Sequence, residues 1–98
     1  MELLYFDGCP NWMVADERLH AALEAVGQDT LQVERVLVTT PEEAEQRRFV
    51  GSPTVLIDGR DPFGEGALPV GLTCRLYRTP TGSSGAPTVE QLIEALTS

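Results

Sequence analysis

Ninety-eight residues, 42% hydrophobic and 22% charged, suit a folded chain with one hydrophobic core and bound the architecture to a single domain over 1–98. Fifteen acidic residues against seven arginines and no lysine give a net charge of -8, which repels phosphate backbones and anionic bilayers and argues against a nucleic-acid or membrane partner. Two cysteines are too few for a disulfide scaffold or a zinc framework, and they leave structural thiols or redox chemistry as the choices.

No window holds the ~18 apolar residues of a spanning helix. The chain starts on an apolar run with no basic segment before it, which points to the cytoplasm. That run, Leu3 to Phe6, reads as a buried strand and stops at Asp7-Gly8. Cys9 and Pro10 then open an amphipathic helix, with proline at the first helical position, where its missing N–H matters least. Trp12, Ala15, Leu19, Ala22, Leu23 and Val26 follow at helical spacing, and Gly27 is placed to end the helix in the left-handed region. A cysteine at a helix N-terminus meets free backbone N–H groups and the positive end of the dipole, both of which favour thiolate, while Asp7 opposes it.

Residues 31–38 are rich in β-branched side chains and predict a second strand, parallel to the first across the intervening helix. Thr40-Pro41-Glu42-Glu43 is a capping box that starts a short helix ending near Gly51. Ser52-Pro53-Thr54 leads into a third strand, Val55-Leu56-Ile57. Residues 58–71, with four glycines and two prolines, predict a long aperiodic loop of the kind that is functional or mobile. Residues 72–78 alternate, with Leu72, Cys74 and Leu76 expected to face inward on a fourth strand. A connection over 79–87 and a second capping box, Thr88 with Gln91, introduce a last helix that buries Leu92, Ala95 and Leu96.

The order β-α-β-α-β-β-α, the cysteine at the first strand-to-helix turn and the Ser-Pro-Thr before the third strand resemble the thioredoxin superfamily. The stretches YFDGCPNW, GSPTVLIDG and GLTCRLYRTP are similar to small bacterial thioredoxin-like proteins, some of them labelled alkylmercury-lyase-like. The resemblance implies an α/β fold with a four-stranded mixed sheet of order 2-1-3-4 and helices on both faces. It puts Cys9 on the nucleophilic cysteine and Pro53 on the facing cis-proline, with Ser52 offering backbone groups to an incoming substrate. Where redox relatives carry C-x-x-C, this chain has Cys9-Pro10-Asn11-Trp12, so an indole stands at the resolving position. A fourth strand two places from the first would hold Cys74 about 9–10 Å away, beyond the ~7 Å Cα separation that a disulfide tolerates. The sequence therefore predicts Cys9 and Cys74 unbonded, and Cys9 acting as a monothiol.

The candidate site is then Cys9 as nucleophile, Trp12, Ser52, Pro53 and Thr54 as substrate contacts, and Asp7 as either a proton relay or simply a turn residue. Cys74 reads as a small buried hydrophobe, Trp12 equally as the start of a core stripe, and His20 as a surface residue. The leading function is thiol–disulfide exchange with protein or low-molecular-weight thiols and disulfides, needing no cofactor or metal. The alternatives are a non-catalytic binding module using Trp12 and the 58–71 loop, and a soft-metal or organomercurial thiol protein using Cys9 with Cys74.

Overall fold

β1 (Glu2–Tyr5) is the central strand of a three-stranded sheet. β2 (Glu34–Leu37) runs parallel to it on one side, and β3 (Thr54–Leu56) antiparallel on the other, giving the order β2-β1-β3. In this computed structural model residues 1–28, 30–64 and 70–97 are described.

The alternation of β1 sends Leu3 and Leu4 to opposite faces. Leu3, paired with Val55, packs with Ala15, Leu19, Ala22 and Leu23 of α1 (Asn11–Ala25) and Leu92 of α3 (Val89–Thr97). Leu4 packs with Val38, Phe49 and Ala44 of α2 (Pro41–Arg47) on the other face. Helices therefore cover both faces of an α/β sheet, as expected. Each fully buried Leu or Phe contributes roughly 1.5–3 kcal/mol.

The helix termini follow their local chemistry. Gly27, at φ 74, closes α1 in a Schellman motif: the Gln28 N–H donates to Leu23 O at 2.8 Å and the Gly27 N–H to Glu24 O at 3.1 Å. Thr40 caps α2 by accepting the Glu43 N–H at 3.1 Å. α2 ends at Arg48, itself left-handed at φ 51, not at Gly51. Thr88 and Gln91 complete both halves of their capping box, at 3.1 and 2.9 Å. Ala95 and Leu96 of α3 are half-buried, Leu92 fully so.

The second half of the chain departs from expectation. Regular pairing in the run 72–78 begins only at β4 (Tyr77–Thr79), which forms a separate two-stranded sheet with β5 (Gly82–Ser84), inside the expected connection. The expected order 2-1-3-4 therefore ends at β3 among the described residues. Leu72 packs against the Leu4 cluster as expected, but from Cys74 to Arg78 the alternation has the opposite polarity. Arg75 and Tyr77 are buried, while Cys74 and Leu76 are exposed. Period-2 spacing does not say which face is inside, and here an ion pair and a phenol decide it.

Of the 58–71 loop, residues 65–69 lie outside the described residues. Its start is ordered by a two-residue hairpin turn: Asp58 and Gly59 both have positive φ, and Ile57 and Arg60 exchange backbone bonds at 2.8 and 3.1 Å. Asp-Gly is a strong hairpin signal that the aperiodic reading passed over. Among the described residues no helix is long and apolar enough to cross a membrane.

Candidate functional site

β1 leaves the sheet at Tyr5, and a tight turn, with the Cys9 N–H donating to Phe6 O at 3.3 Å, reverses the chain into α1. Gly8 is needed there because a Cβ would strike the Phe6 ring. Pro10, at φ -74, is the cap of α1 rather than its first residue, so Cys9 stands one position further out than the sequence suggests. The offset is within the ordinary ambiguity of helix ends. No side chain caps these N–H groups and no acidic residue lies in the first turn. Cys9 itself has 0% exposure.

Cys9 and Cys74 are joined in a disulfide, with Cα atoms 5.6 Å apart. This corrects the expectation that the two sulfurs stay unbonded and that Cys9 has no partner. The separation was overestimated because residues 71–75 are not a strand beyond β3. They form a strap along the segment leading into β3, with the Gly71 N–H donating to Phe49 O (3.0 Å), the Ser52 N–H to Thr73 O (2.7 Å) and the Arg75 N–H to Ser52 O (2.9 Å). Ser52 and Cys74 form a parallel bridge directly over the first turn. Gly51 permits the approach: at φ 121, its missing Cβ would lie 2.9 Å from Arg75 Cβ.

The expected substrate edge, Ser52-Pro53-Thr54, is therefore covered by the chain's own strap. All three residues are buried, and the Ser52–Pro53 peptide is cis. The Thr54 hydroxyl donates to Gly51 O at 2.6 Å, bracing the turn. Cys9 Sγ lies 3.7 Å from Ser52 O; in the disulfide it has no hydrogen to give, and a Cys9 thiol would be the donor of that pair. The Ser52 hydroxyl is buried without a hydrogen-bond partner.

The remaining candidates lie around this pair. Asp7 is exposed on the wall of a cleft of about 210 Å³ that Phe6, Gly8, Val38 and Leu72 also line, beside both cysteine-bearing segments. Trp12 turns away to stack on Tyr5, with ring centroids 4.4 Å apart, and packs against the Leu3 cluster. His20 is on the surface, with Nδ1 2.8 Å from Asp16 O. A larger cleft, about 330 Å³, runs along Arg75, Tyr77 and Gln91 and is lined by neither cysteine.

Three residues that no sequence motif flagged hold the strap in place. Arg75 Nη1 meets Asp61 Oδ2 at 2.6 Å, its Nη2 donates to Phe63 O at 2.9 Å, and its guanidinium lies 4.5 Å from the Tyr77 ring centroid. The Tyr77 hydroxyl donates to Pro53 O. Burial holds the Tyr77 phenol well above its ordinary range, with Arg75 opposing the shift. No local sequence signal pairs Arg75 with Asp61, since the two are 14 residues apart.

Compared with protein-family models, curated proteins and solved structures, the chain gives no match.

Proposed function

We propose that this chain is a cytoplasmic, thioredoxin-like thiol–disulfide exchange protein whose working pair is Cys9 with Cys74. The observation that carries the proposal is a disulfide between a fully buried cysteine at the first strand-to-helix turn and an exposed cysteine on the strap over Ser52. The thioredoxin-like assignment draws support from the order β2-β1-β3, helices on both faces and the cysteine facing Ser52-Pro53. A lone disulfide in a reducing compartment is characteristically catalytic or redox-sensing.

Accessibility sets the order of events. In the reduced protein the Cys74 thiolate attacks a substrate disulfide, forming a Cys74 mixed disulfide and releasing one substrate thiolate. The Cys9 thiolate then attacks the Cys74 sulfur, closing Cys9–Cys74 and releasing the second; two electrons pass from protein to substrate. A thiol reductant, dithiol or glutathione-type, reverses the sequence by entering at Cys74. This exchanges the roles expected from the motif, because Cys9 has no surface for a substrate to reach.

The test is turnover of a small aromatic disulfide with dithiothreitol as reductant. Wild type should turn over, Cys74→Ser should be inactive, and Cys9→Ser should be trapped as a Cys74 mixed disulfide when the reductant is left out, since dithiothreitol itself resolves that bond. Turnover that survives in both variants, or a native disulfide that millimolar dithiothreitol leaves closed, would refute the exchange reading.

One observation favours a second reading, soft-metal binding by the reduced pair. A Cα separation of 5.6 Å removes the distance objection to two-thiolate coordination. Mercury titration of the reduced protein, with one equivalent retained by wild type and lost in either single-cysteine variant, would identify it.

A further inference from the structure

Arg75 is 6% exposed, and every polar contact it makes ties the strap to something other than sulfur. Its backbone N–H is bonded to Ser52 O and its fork to Asp61 and Phe63 O. Asp61 is fixed in turn, because its Oδ1 accepts the Phe63 N–H at 2.9 Å. Tyr77, under the guanidinium, donates to Pro53 O on the facing segment. None of these ties includes either sulfur.

We propose that Arg75, paired with Asp61, is a positioning residue that keeps the strap on Ser52 after the disulfide opens, so that Cys74 stays within reach of Cys9. It rests on the exchange reading for its purpose, although its test does not. A disulfide's equilibrium with an external dithiol reports the effective concentration of its two thiols in the reduced state. A clamped strap makes that concentration high and the disulfide harder to reduce. A released strap lets Cys74 wander, and the disulfide opens more easily.

The experiment equilibrates the oxidised protein with dithiothreitol redox buffers, one protein disulfide exchanging two electrons and two protons with one dithiol. The dithiol fraction is trapped by acid quench and alkylation and read by mass. Arg75→Gln and Asp61→Asn should each shift the equilibrium about tenfold toward protein dithiol, about 30 mV. The double variant should shift little further, since both changes break one pair. Arg75→Lys, which keeps the charge and loses the fork, should behave like Arg75→Gln and serves where the glutamine variant does not fold.

Charge alone predicts otherwise: removing a cation beside Cys74 disfavours thiolate and would make the disulfide harder to reduce, while lysine would change nothing. A merely structural arginine would lower the melting temperature of the oxidised and reduced forms equally and leave the equilibrium unmoved. Either result overturns the proposal. A wild-type chain that turns over no disulfide would refute the exchange reading while leaving this equilibrium measurable.

Discussion

The two halves of the disulfide rest on unlike supports. Cys9 stands on a turn fixed from both sides, by β1 in the middle of the sheet and by the 15 residues of α1 packed on the main core. Cys74 stands on a strap held by backbone hydrogen bonds at Gly71, Thr73 and Arg75 and by the side-chain bonds of Arg75 and Tyr77, with regular pairing starting only at Tyr77. One sulfur is placed by the core and the other by a few separable ties. On the proposed exchange reading, the strap is the side from which the pair opens while β1 and α1 keep their packing.

The largest effect that could break this comparison comes from deleting the bond itself. The cysteines are 65 residues apart, and closing a loop of that length stabilises the fold by about 4 kcal/mol in the chain-entropy description. Cys9→Ser and Cys74→Ser remove the same cross-link, so each should lower the melting temperature by a similar amount, on the order of 20 °C. Their thiols should differ. Cys74 in the Cys9→Ser variant should alkylate at a rate close to that of a free thiol, and Cys9 in the Cys74→Ser variant far more slowly under native conditions. Equal rates would show that the strap leaves whenever the bond is cut.

Gly51 offers a smaller and more local perturbation. Alanine there would put a Cβ 2.9 Å from Arg75 Cβ on a residue held at φ 121, and a non-glycine in such a conformation costs about 1–3 kcal/mol. Since the strap is the part able to move, Gly51→Ala should loosen it before it unfolds the sheet. The expected signature is a destabilised oxidised protein whose Cys74 becomes easier to reduce while the far-ultraviolet spectrum is unchanged. An intact strap in this variant, judged by an unshifted dithiol equilibrium, would mean that the segment before β3 gives way instead.

The same contrast explains what the sequence could and could not disclose. The β1–α1–β2 unit was readable because its signals are local: the run Leu3 to Phe6, the helical spacing from Trp12 to Leu23 and the glycine closing α1 act within a few residues of one another. The capping boxes at Thr40 and Thr88 were readable for the same reason. The strap depends on Gly51 meeting Arg75, on Asp61 meeting Arg75 across 14 residues and on Tyr77 meeting Pro53 across 24, and no periodicity encodes such partners. Residues 72–78 do alternate, and placing Leu72, Cys74 and Leu76 inside follows from hydrophobicity alone. That ranking holds for Leu72 and fails for Cys74 and Leu76, because the ion pair of Arg75 makes the more polar face the buried one there. The place of Cys9 at the first strand-to-helix turn was legible, and its disulfide partner was missed because a strand count set the distance.

Tyr77 sharpens the account of the strap through pH. Burial raises its phenol above the ordinary value near 10, so the folded state keeps a proton that the unfolded chain gives up. The associated stability is fully present below pH ~10 and declines as pH rises beyond it. Wild type should therefore lose stability in alkaline melts from about pH 10 upward. Tyr77→Phe should remove that part of the slope, while being less stable at neutral pH because the Pro53 carbonyl loses this donor.

The smallest expected effect concerns the Ser52 hydroxyl, which is buried without a partner while its backbone N–H and C=O are bonded to the strap. An unsatisfied buried hydroxyl is unfavourable, and replacing it with hydrogen at the same site is neutral or stabilising by about 1 kcal/mol. Oxidised Ser52→Ala should melt at or slightly above the wild-type temperature. Reduction leaves this balance where it is, because the Cys9 thiol gains a hydrogen to give toward the Ser52 carbonyl oxygen, 3.7 Å away, and not toward the side-chain hydroxyl. The gain should therefore be of similar size in the oxidised and reduced variants. A gain confined to the oxidised form would mean that the hydroxyl finds a partner once the disulfide opens.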